Sequence, residues 1–443
     1  MELTFEAVAE AKPGSKWRRL LFDRHWPAYR AWFLARGGAT RPSLATAVER
    51  LRRFMPELVP TYERLVELAG GDDTAARFLS MYRPPAYLVQ CSQAVWPGGR
   101  PGGGPPVLVR NYDLDPALAE GTILHTQWNG RRVIATVECL WGVDDGLNDA
   151  GLAVSLTFGG RRVVGDGFGI PLILRYVLEF CATTAEALDV LRRVPSHMAY
   201  NVTVLDRRGD FATALVAPDR PTVVLRRPVA TNHQGAVEWP EQARFSRTLE
   251  RERFLIERLA DPRTTAAGLI EAFLRPPLYA TDYRNGFGTL YTAVYRPGEG
   301  AAEFRWPDGL RWRQSFDGFQ EGRRTVRYSS SGAEEASPAA RRRPGGHRRG
   351  HVAEEVRARA DAATHADDVD PAAILERVFK TVQDALSPTG YAMSAGFVDE
   401  LLNGLVRPGE IPWARLGSLW ADAGGVRWGR GAGPNHRRRA PKS

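Results

Sequence analysis

Two stretches decide how this chain is read: YLVQCSQAVW, Tyr87–Trp96, and PVLVRNYDLDP, Pro106–Pro116. Each is a short, largely apolar run of strand length. Between them lies PGGRPGGGP, a glycine- and proline-rich connection suited to joining two antiparallel strands. In such a hairpin the end of the second strand returns to the start of the first. Arg110, Asn111, Tyr112 and Asp113 then come back beside Cys91. A cysteine inside a strand is ordinarily small apolar filler. This one stands where a helical leader gives way to strands, with a guanidinium and a carboxylate returning toward it.

Outward from the hairpin, the pattern changes in blocks. Residues 1 to about 83 read as helical. SLATAVERLRRFMPELVPTYERLVELA, Ser43–Ala69, has apolar residues at three- and four-residue spacing, and a second helix follows with a cap expected at Asp73. After the hairpin come short strands (TILHTQW, RRVIATVECLW, GLAVSLTF), then two helices within 169–194, then four more strands through VATNH at 229–233. Helices return in PEQARFSRTLERERFLIERLA and TTAAGLIEAFL, and TLYTAVYRPGEGAAEFRWP reads as a closing hairpin. Strand blocks separated by helix blocks indicate an α+β fold, with two sheets sandwiched between helix layers. The expected organisation is a leader at 1–90, a catalytic domain at 91–328, a disordered linker at 329–368, a small helical appendage at 369–423 and a disordered basic tail at 424–443.

The chain has 443 residues, 43% hydrophobic and 25% charged, which suits a globular protein with a sizeable core. Its three cysteines, Cys91, Cys139 and Cys181, form no disulfide framework and no zinc spacing, so a reducing, cytoplasmic setting is expected. The N-terminus lacks the apolar core of a signal peptide. The most apolar helical stretch, GIPLILRYVLEF, is short and charged, so no membrane span is expected. The net charge of +9 clusters visibly in ARRRPGGHRRGH and NHRRRAPKS. These read as exposed tails, and no nucleic-acid partner is expected.

Cys91 has a chemistry open to it if the Gln90–Cys91 bond is cut. A free thiol titrates near pH 8.5 and a chain-terminal amine near 7.7–8.0. A terminal amine can act as base for a neighbouring nucleophile. Cleavage would place thiol and amine on one residue. Asp113 could hold that amine, and Arg110 would favour thiolate over thiol. The bland alternative, a buried strand cysteine beside a surface ion pair, stays open on spacing alone.

The block resembles the N-terminal-nucleophile hydrolases of the choloylglycine-hydrolase and penicillin-acyltransferase type. They share a cysteine that opens a strand and an Arg-Asn-x-Asp at the end of the next, here Cys91 with Arg110–Asp113. DDGLNDAGLAVSLTFGG from Asp144, VATNH, SRTLERERFL and GTLYTAVYRP continue the resemblance in order, over about Ala86–Phe319. The long leader is most similar to the acyl-coenzyme A:6-aminopenicillanic acid acyltransferase subgroup. The resemblance implies a four-layer αββα sandwich. It also implies Cys91 as nucleophile and its freed amine as base, with Asp113 orienting that amine and Arg110 supporting the site. Asn232 and the backbone N–H of Thr157 would be oxyanion donors. An arginine near the helix after the Asn232 strand is implied as well. Arg244, Arg247 and Arg251 compete for it, with Arg247 favoured.

Other residues have plainer readings. Asn148 and Gly151 mark a turn, and Cys139 and Cys181 are core residues. His125, His197 and His233 show no ligand spacing. Asp144 and Asp145, adjacent on a strand, should point to opposite faces and so share no acid–base role. Tyr112 and Trp141 are candidate substrate contacts. Gln90 stands where members of the family often carry glycine. The expected function is a self-cleaving amidohydrolase acting on a small N-acyl amide, without cofactor or metal, whose processed chains stay associated. The alternatives are an acyltransferase to an amine and an unprocessed, non-catalytic binding member.

Overall fold

The computed structural model describes residues 1–87, 89–99, 104–283 and 287–329. The expected linker, appendage and basic tail, save residue 329, lie outside the described residues. The N-terminal region is mainly helical, but it opens with a strand, β1 (Glu2–Glu10). The reason lies in ELTFEAVAE: Leu3, Phe5 and Ala7 alternate with polar or half-buried neighbours, a period of two rather than 3.6. Helices follow: α1 (Ser15–Trp17), α2 (Asp23–Leu34), α3 (Leu44–Phe54), α4 (Val59–Leu68) and α5 (Asp73–Leu79). Ser43 caps α3 by accepting from the Thr46 amide, and Asp72, one residue before the expected Asp73, caps α5 by accepting from Ala75.

The remaining strands are β2 (Gln90–Trp96), β3 (Val107–Leu114), β4 (Thr122–Thr126), β5 (Val133–Glu138), β6 (Gly142–Asn148) and β7 (Leu152–Phe158). After α6 (Ile170–Phe180) and α7 (Thr184–Arg193) come β8 (Tyr200–Asp206), β9 (Phe211–Ala217), β10 (Arg220–Leu225) and β11 (Val229–Ala230). Then follow α8 (Pro240–Phe245), α9 (Thr248–Ala260), α10 (Ala266–Phe273) and β12 (Gly288–Arg296). The series ends with β13 (Ala301–Arg305), β14 (Arg311–Ser315) and β15 (Gly322–Arg327).

These strands make two sheets. One has nine strands in the order β10-β9-β8-β7-β6-β5-β4-β1-β15, and the other has six, β11-β2-β3-β12-β13-β14. They face each other through β2 and β3 against β7 and through β13 against β6. Helices α6 and α7 cover the nine-stranded sheet, and α9 and α10 cover the six-stranded one. The result is the expected four-layer αββα sandwich.

The pleat of β2 sorts its side chains between two cores. Cys91 and Val95 join the core between the sheets, while Ala94 and Trp96 pack under α9 and α10 with Val107 and Val109 of β3. Gln93 reaches across the sandwich and donates to Thr203 Oγ1 at 2.8 Å. Asn111 on the helix side donates to the carbonyls of Phe273 at 2.8 Å and Leu278 at 3.1 Å, which pins the end of α10 to β3.

The N-terminal region is part of this body. β1 pairs in parallel with β4 and antiparallel with β15. Two indoles tie the helices on: Trp17 Nε1 donates to the Leu140 carbonyl and Trp141 Nε1 to the Leu79 carbonyl, each at 2.9 Å. Asn148 has the structural role expected of it. Its amide donates to the carbonyls of Leu178 and Cys181 and its oxygen accepts from the Leu152 N–H.

Candidate active site

The β2–β3 register pairs Gln90 with Asp113, Cys91 with Tyr112 and Gln93 with Arg110. The hairpin therefore returns Arg-Asn-Tyr-Asp to Cys91, and alternation divides its side chains between two faces. On the face between the sheets, Arg110 Nη2 donates to Cys91 Sγ at 3.1 Å, and its guanidinium lies 4.7 Å above the Tyr112 ring. On the helix side stands Asp113. Its Oδ1 accepts from Thr289 Oγ1 at 2.7 Å and its Oδ2 from Arg251 Nη1 at 3.1 Å.

Arg251 links the parts. Besides Asp113 it reaches the Cys91 carbonyl at 3.1 Å, Ser92 Oγ at 2.8 Å and, through Nη2, Asn232 Oδ1 at 2.6 Å. The arginine at this position is thus Arg251, not Arg247. Arg247 lies before α9 with φ of +51°, exposed and paired with Glu250. The pattern of TLERERFLIERLA carries the signal. Thr248, Arg251, Leu255 and Leu259 recur at three- and four-residue steps and form the buried stripe of α9.

Asn232 sits in the turn after β11. Its Oδ1 accepts the Cys91 backbone N–H at 3.3 Å, and Nδ2 donates to the Phe158 carbonyl at 3.2 Å. Its own amide donates to Thr248 Oγ1 at 2.7 Å. Thr157 fixes the same turn: its hydroxyl donates to the Thr231 carbonyl at 2.7 Å and accepts from Asn201 at 3.0 Å. Cys91, Arg110, Asp113, Asn232 and Thr157 are all buried around one point. Trp141 serves instead to anchor α5, as described above, and Tyr112 donates to Glu138 Oε2 at 2.9 Å.

The electrostatics are those of a closed site. Burial pushes the Cys91 thiol up to about 12, despite the opposing pull of Arg110. Proximity to Arg110 alone does not make this sulfur a thiolate. Burial likewise raises the Asp113 carboxyl to about 6, against Arg251 and the Thr289 hydrogen bond. Next to Tyr112 lies an acidic cluster that sequence reasoning missed. Tyr29 of α2 bonds Glu120 Oε1 at 2.6 Å and Glu138 Oε1 at 2.9 Å. Glu120, Glu138 and Asp144 line one small cavity. Burial lifts Glu120 and Glu138 to about 7 and Asp144 well above the ordinary range.

The expectation for Asp144 and Asp145 also needs correction. The β5–β6 ladder shifts register after Thr136↔Asp145, so the next pair is Val137↔Val143 and Asp144 is left over. The bulge breaks simple alternation, and both carboxylates act on the Arg110 guanidinium.

A family model described as acyl-coenzyme A:6-aminopenicillanic acid acyl-transferase matches residues 100–311. The match takes in 212 of the 443 residues, a little under half of the chain. Over that span the chain is similar to enzymes that transfer an acyl group. The matched span includes Arg110, Asp113, Thr157, Asn232 and Arg251, and begins after Cys91. No curated protein matches the chain significantly. Among solved structures, a mutant conjugated bile acid hydrolase from Clostridium perfringens is 12% identical, covering 54% of this chain and 97% of its own, with a TM-score of 0.36. Penicillin V acylase from Agrobacterium tumefaciens is 16% identical over 51% of this chain and 86% of its own, at 0.36. A Caenorhabditis elegans ortholog of N-acylethanolamine-hydrolyzing acid amidase is 20% identical over 47% and 93%, at 0.34.

Proposed function

We propose that this chain is a self-cleaving amidohydrolase whose nucleophile is Cys91. The supporting observation is the polar setting of both reactive atoms of that residue. Its sulfur meets Arg110 at 3.1 Å, and its backbone nitrogen, the future α-amine, meets Asn232 Oδ1 at 3.3 Å.

In maturation the Cys91 thiol adds to the Gln90 carbonyl carbon. The Gln90–Cys91 C–N bond breaks, the nitrogen takes a proton, and a thioester joins Gln90 to Sγ. Water then hydrolyses the thioester, leaving a Gln90 carboxylate and a Cys91 bearing free thiol and amine. In turnover the amine takes the thiol proton and Sγ adds to the acyl carbon of an N-acyl amide. The second hydrogen of Asn232 Nδ2 and the Thr157 backbone N–H hold the oxyanion. The Cys91 ammonium gives its proton to the leaving amine, and water resolves the acyl-enzyme. Losing one oxyanion donor costs about 10²–10³ in rate. Arg251, itself held by Asp113, keeps the Cys91 carbonyl in place during both reactions. Because β1 is paired on both sides within the nine-stranded sheet, the cut leader stays bound as a separate chain. Free, unpaired cysteines fit a reducing compartment such as the cytoplasm.

A second reading, an uncut binding member of the family, is favoured by the complete burial of Cys91 and its raised thiol. Intact-mass analysis separates the two. The expected result is a fragment beginning at Cys91 that is absent in Cys91→Ala, and amide hydrolysis by the cut protein. A single uncut chain in both overturns the proposal. Screening with added amines distinguishes hydrolysis from acyl transfer.

A further inference from the structure

We propose that Asp145 is a positioning residue for Cys91: it grips Arg110 from the opposite sheet, fixing where that guanidinium meets the sulfur and offsetting part of its charge. The inference rests on Cys91 being the nucleophile. Arg110 comes from β3 of the six-stranded sheet and Asp145 from β6 of the nine-stranded one, so the pair spans the sandwich. Nη1 of Arg110 goes to Asp145 and Nη2 to Cys91. The carboxylate also accepts from Thr136 Oγ1 at 2.7 Å, from Tyr291 at 3.0 Å and from Tyr295. One cation and three hydroxyls, all buried, hold it in place.

A carboxylate held this way does two things. It leaves Arg110 one direction in which to present Nη2, and it subtracts charge from the guanidinium that Cys91 faces. The two effects separate experimentally. Asp145→Asn keeps the shape of the side chain and its oxygen acceptor for Thr136 or a tyrosine, but removes the charge. Arg110 is then opposed by less negative charge, and Cys91 shifts toward thiolate. Tyr295→Phe leaves the charge and removes one donor, so the carboxylate concentrates on Arg110 and Cys91 shifts away from thiolate. A purely structural role would move both variants the same way. The other ionisable neighbours of Cys91 stay constant in both: Asp113 from β3, Arg251 from α9, Asp144 from β6 and Tyr200 from β8.

The test is the pH dependence of Cys91 alkylation by iodoacetamide in the full chain, read by peptide mapping so that Cys139 and Cys181 are counted apart. The Cys91 midpoint is expected to fall by about one unit in Asp145→Asn and to rise in Tyr295→Phe. If Asp145→Asn fails to accumulate as folded protein, the sign of the Tyr295→Phe shift decides. Shifts of the same sign, or no shift in either variant, overturn the proposal while leaving Cys91 as nucleophile. A wild-type chain that stays uncut and unalkylated at Cys91 at every pH overturns the nucleophile reading itself, and the role of Asp145 with it.

Discussion

Arg251 Nη1 lies 3.1 Å from the carbonyl oxygen of Cys91, so a helix in the outer layer holds the backbone of the proposed nucleophile. The same guanidinium serves Asp113, Ser92 and Asn232. Arg251→Met would strip a buried carboxylate of its cation and the Asn232 amide oxygen of one of its two donors. Breaking a buried pair from one side costs about 3–5 kcal/mol, and we expect loss of self-cleavage in the fraction that folds. Arg251→Lys keeps the charge but not the fork, and should recover stability more than cleavage. Arg247→Ala, at an exposed pair with Glu250, should change stability by no more than about 0.5 kcal/mol. Urea denaturation with intact-mass readout compares all three.

The acidic cluster under Tyr29 makes stability depend on pH. Glu120 and Glu138 titrate near 7 in the folded chain, raised by burial from an ordinary 4.5. Between those values the folded state binds more protons than the unfolded one, so stability falls as pH rises from about 4.5 to 7. Their favourable contribution is fully present below about 4.5 and is lost as pH climbs through the folded values. Glu138→Gln, neutral at every pH, should flatten the decline in Tm between pH 5 and 8. A decline as steep as that of the wild type would show that the cluster does not govern it.

Trp141→Phe tests how the N-terminal helices are anchored. The ring is kept, but the N–H donated to the Leu79 carbonyl at 2.9 Å is lost. An unsatisfied buried carbonyl costs about 1–3 kcal/mol. Hydrogen exchange should quicken in α5 and the segment after it before it changes in β2 and β3.

Gly160 approaches the backbone of Asn232 at a φ of +68°, and an added methyl there would run into the Asn232 carbonyl. Gly160→Ala should therefore displace Asn232 and lower turnover by about the 10²–10³ of a lost oxyanion donor. The change should appear mainly in kcat, because Gly160 itself lies behind Asn232.

How far the sequence discloses all this varies with the physics of each element. The β2–β3 hairpin is legible because apolar runs of strand length flank a glycine- and proline-rich connection, and its register then follows from pairing. Asn232 and Thr157 stand far along the chain and meet it only in the fold. Arg251 is written into the buried stripe of α9, but three nearby arginines are hard to rank without locating the start of the helix, and Arg247 falls just before it. β1 reads as part of a helical leader because its alternation spans only a few residues next to strongly helical neighbours. The Asp144–Asp145 arrangement depends on a bulge, a pairing irregularity set by the partner strand rather than by local pattern. The acidic cluster joins residues from α2, β5, β6 and the segment before β4, and no spacing along the chain announces such a meeting.

The placement of β1 bears on the order of events during synthesis. Its residue Glu2 pairs with Arg327, near the other end of the described chain. One edge of the first strand made therefore waits for nearly the last, and contacts of such separation form slowly. The complete nine-stranded framework cannot exist on a nascent chain that has not yet reached β15. If the assembled sandwich is what brings Cys91, Arg110 and Arg251 together, any scission at Gln90 waits until β15 has been made.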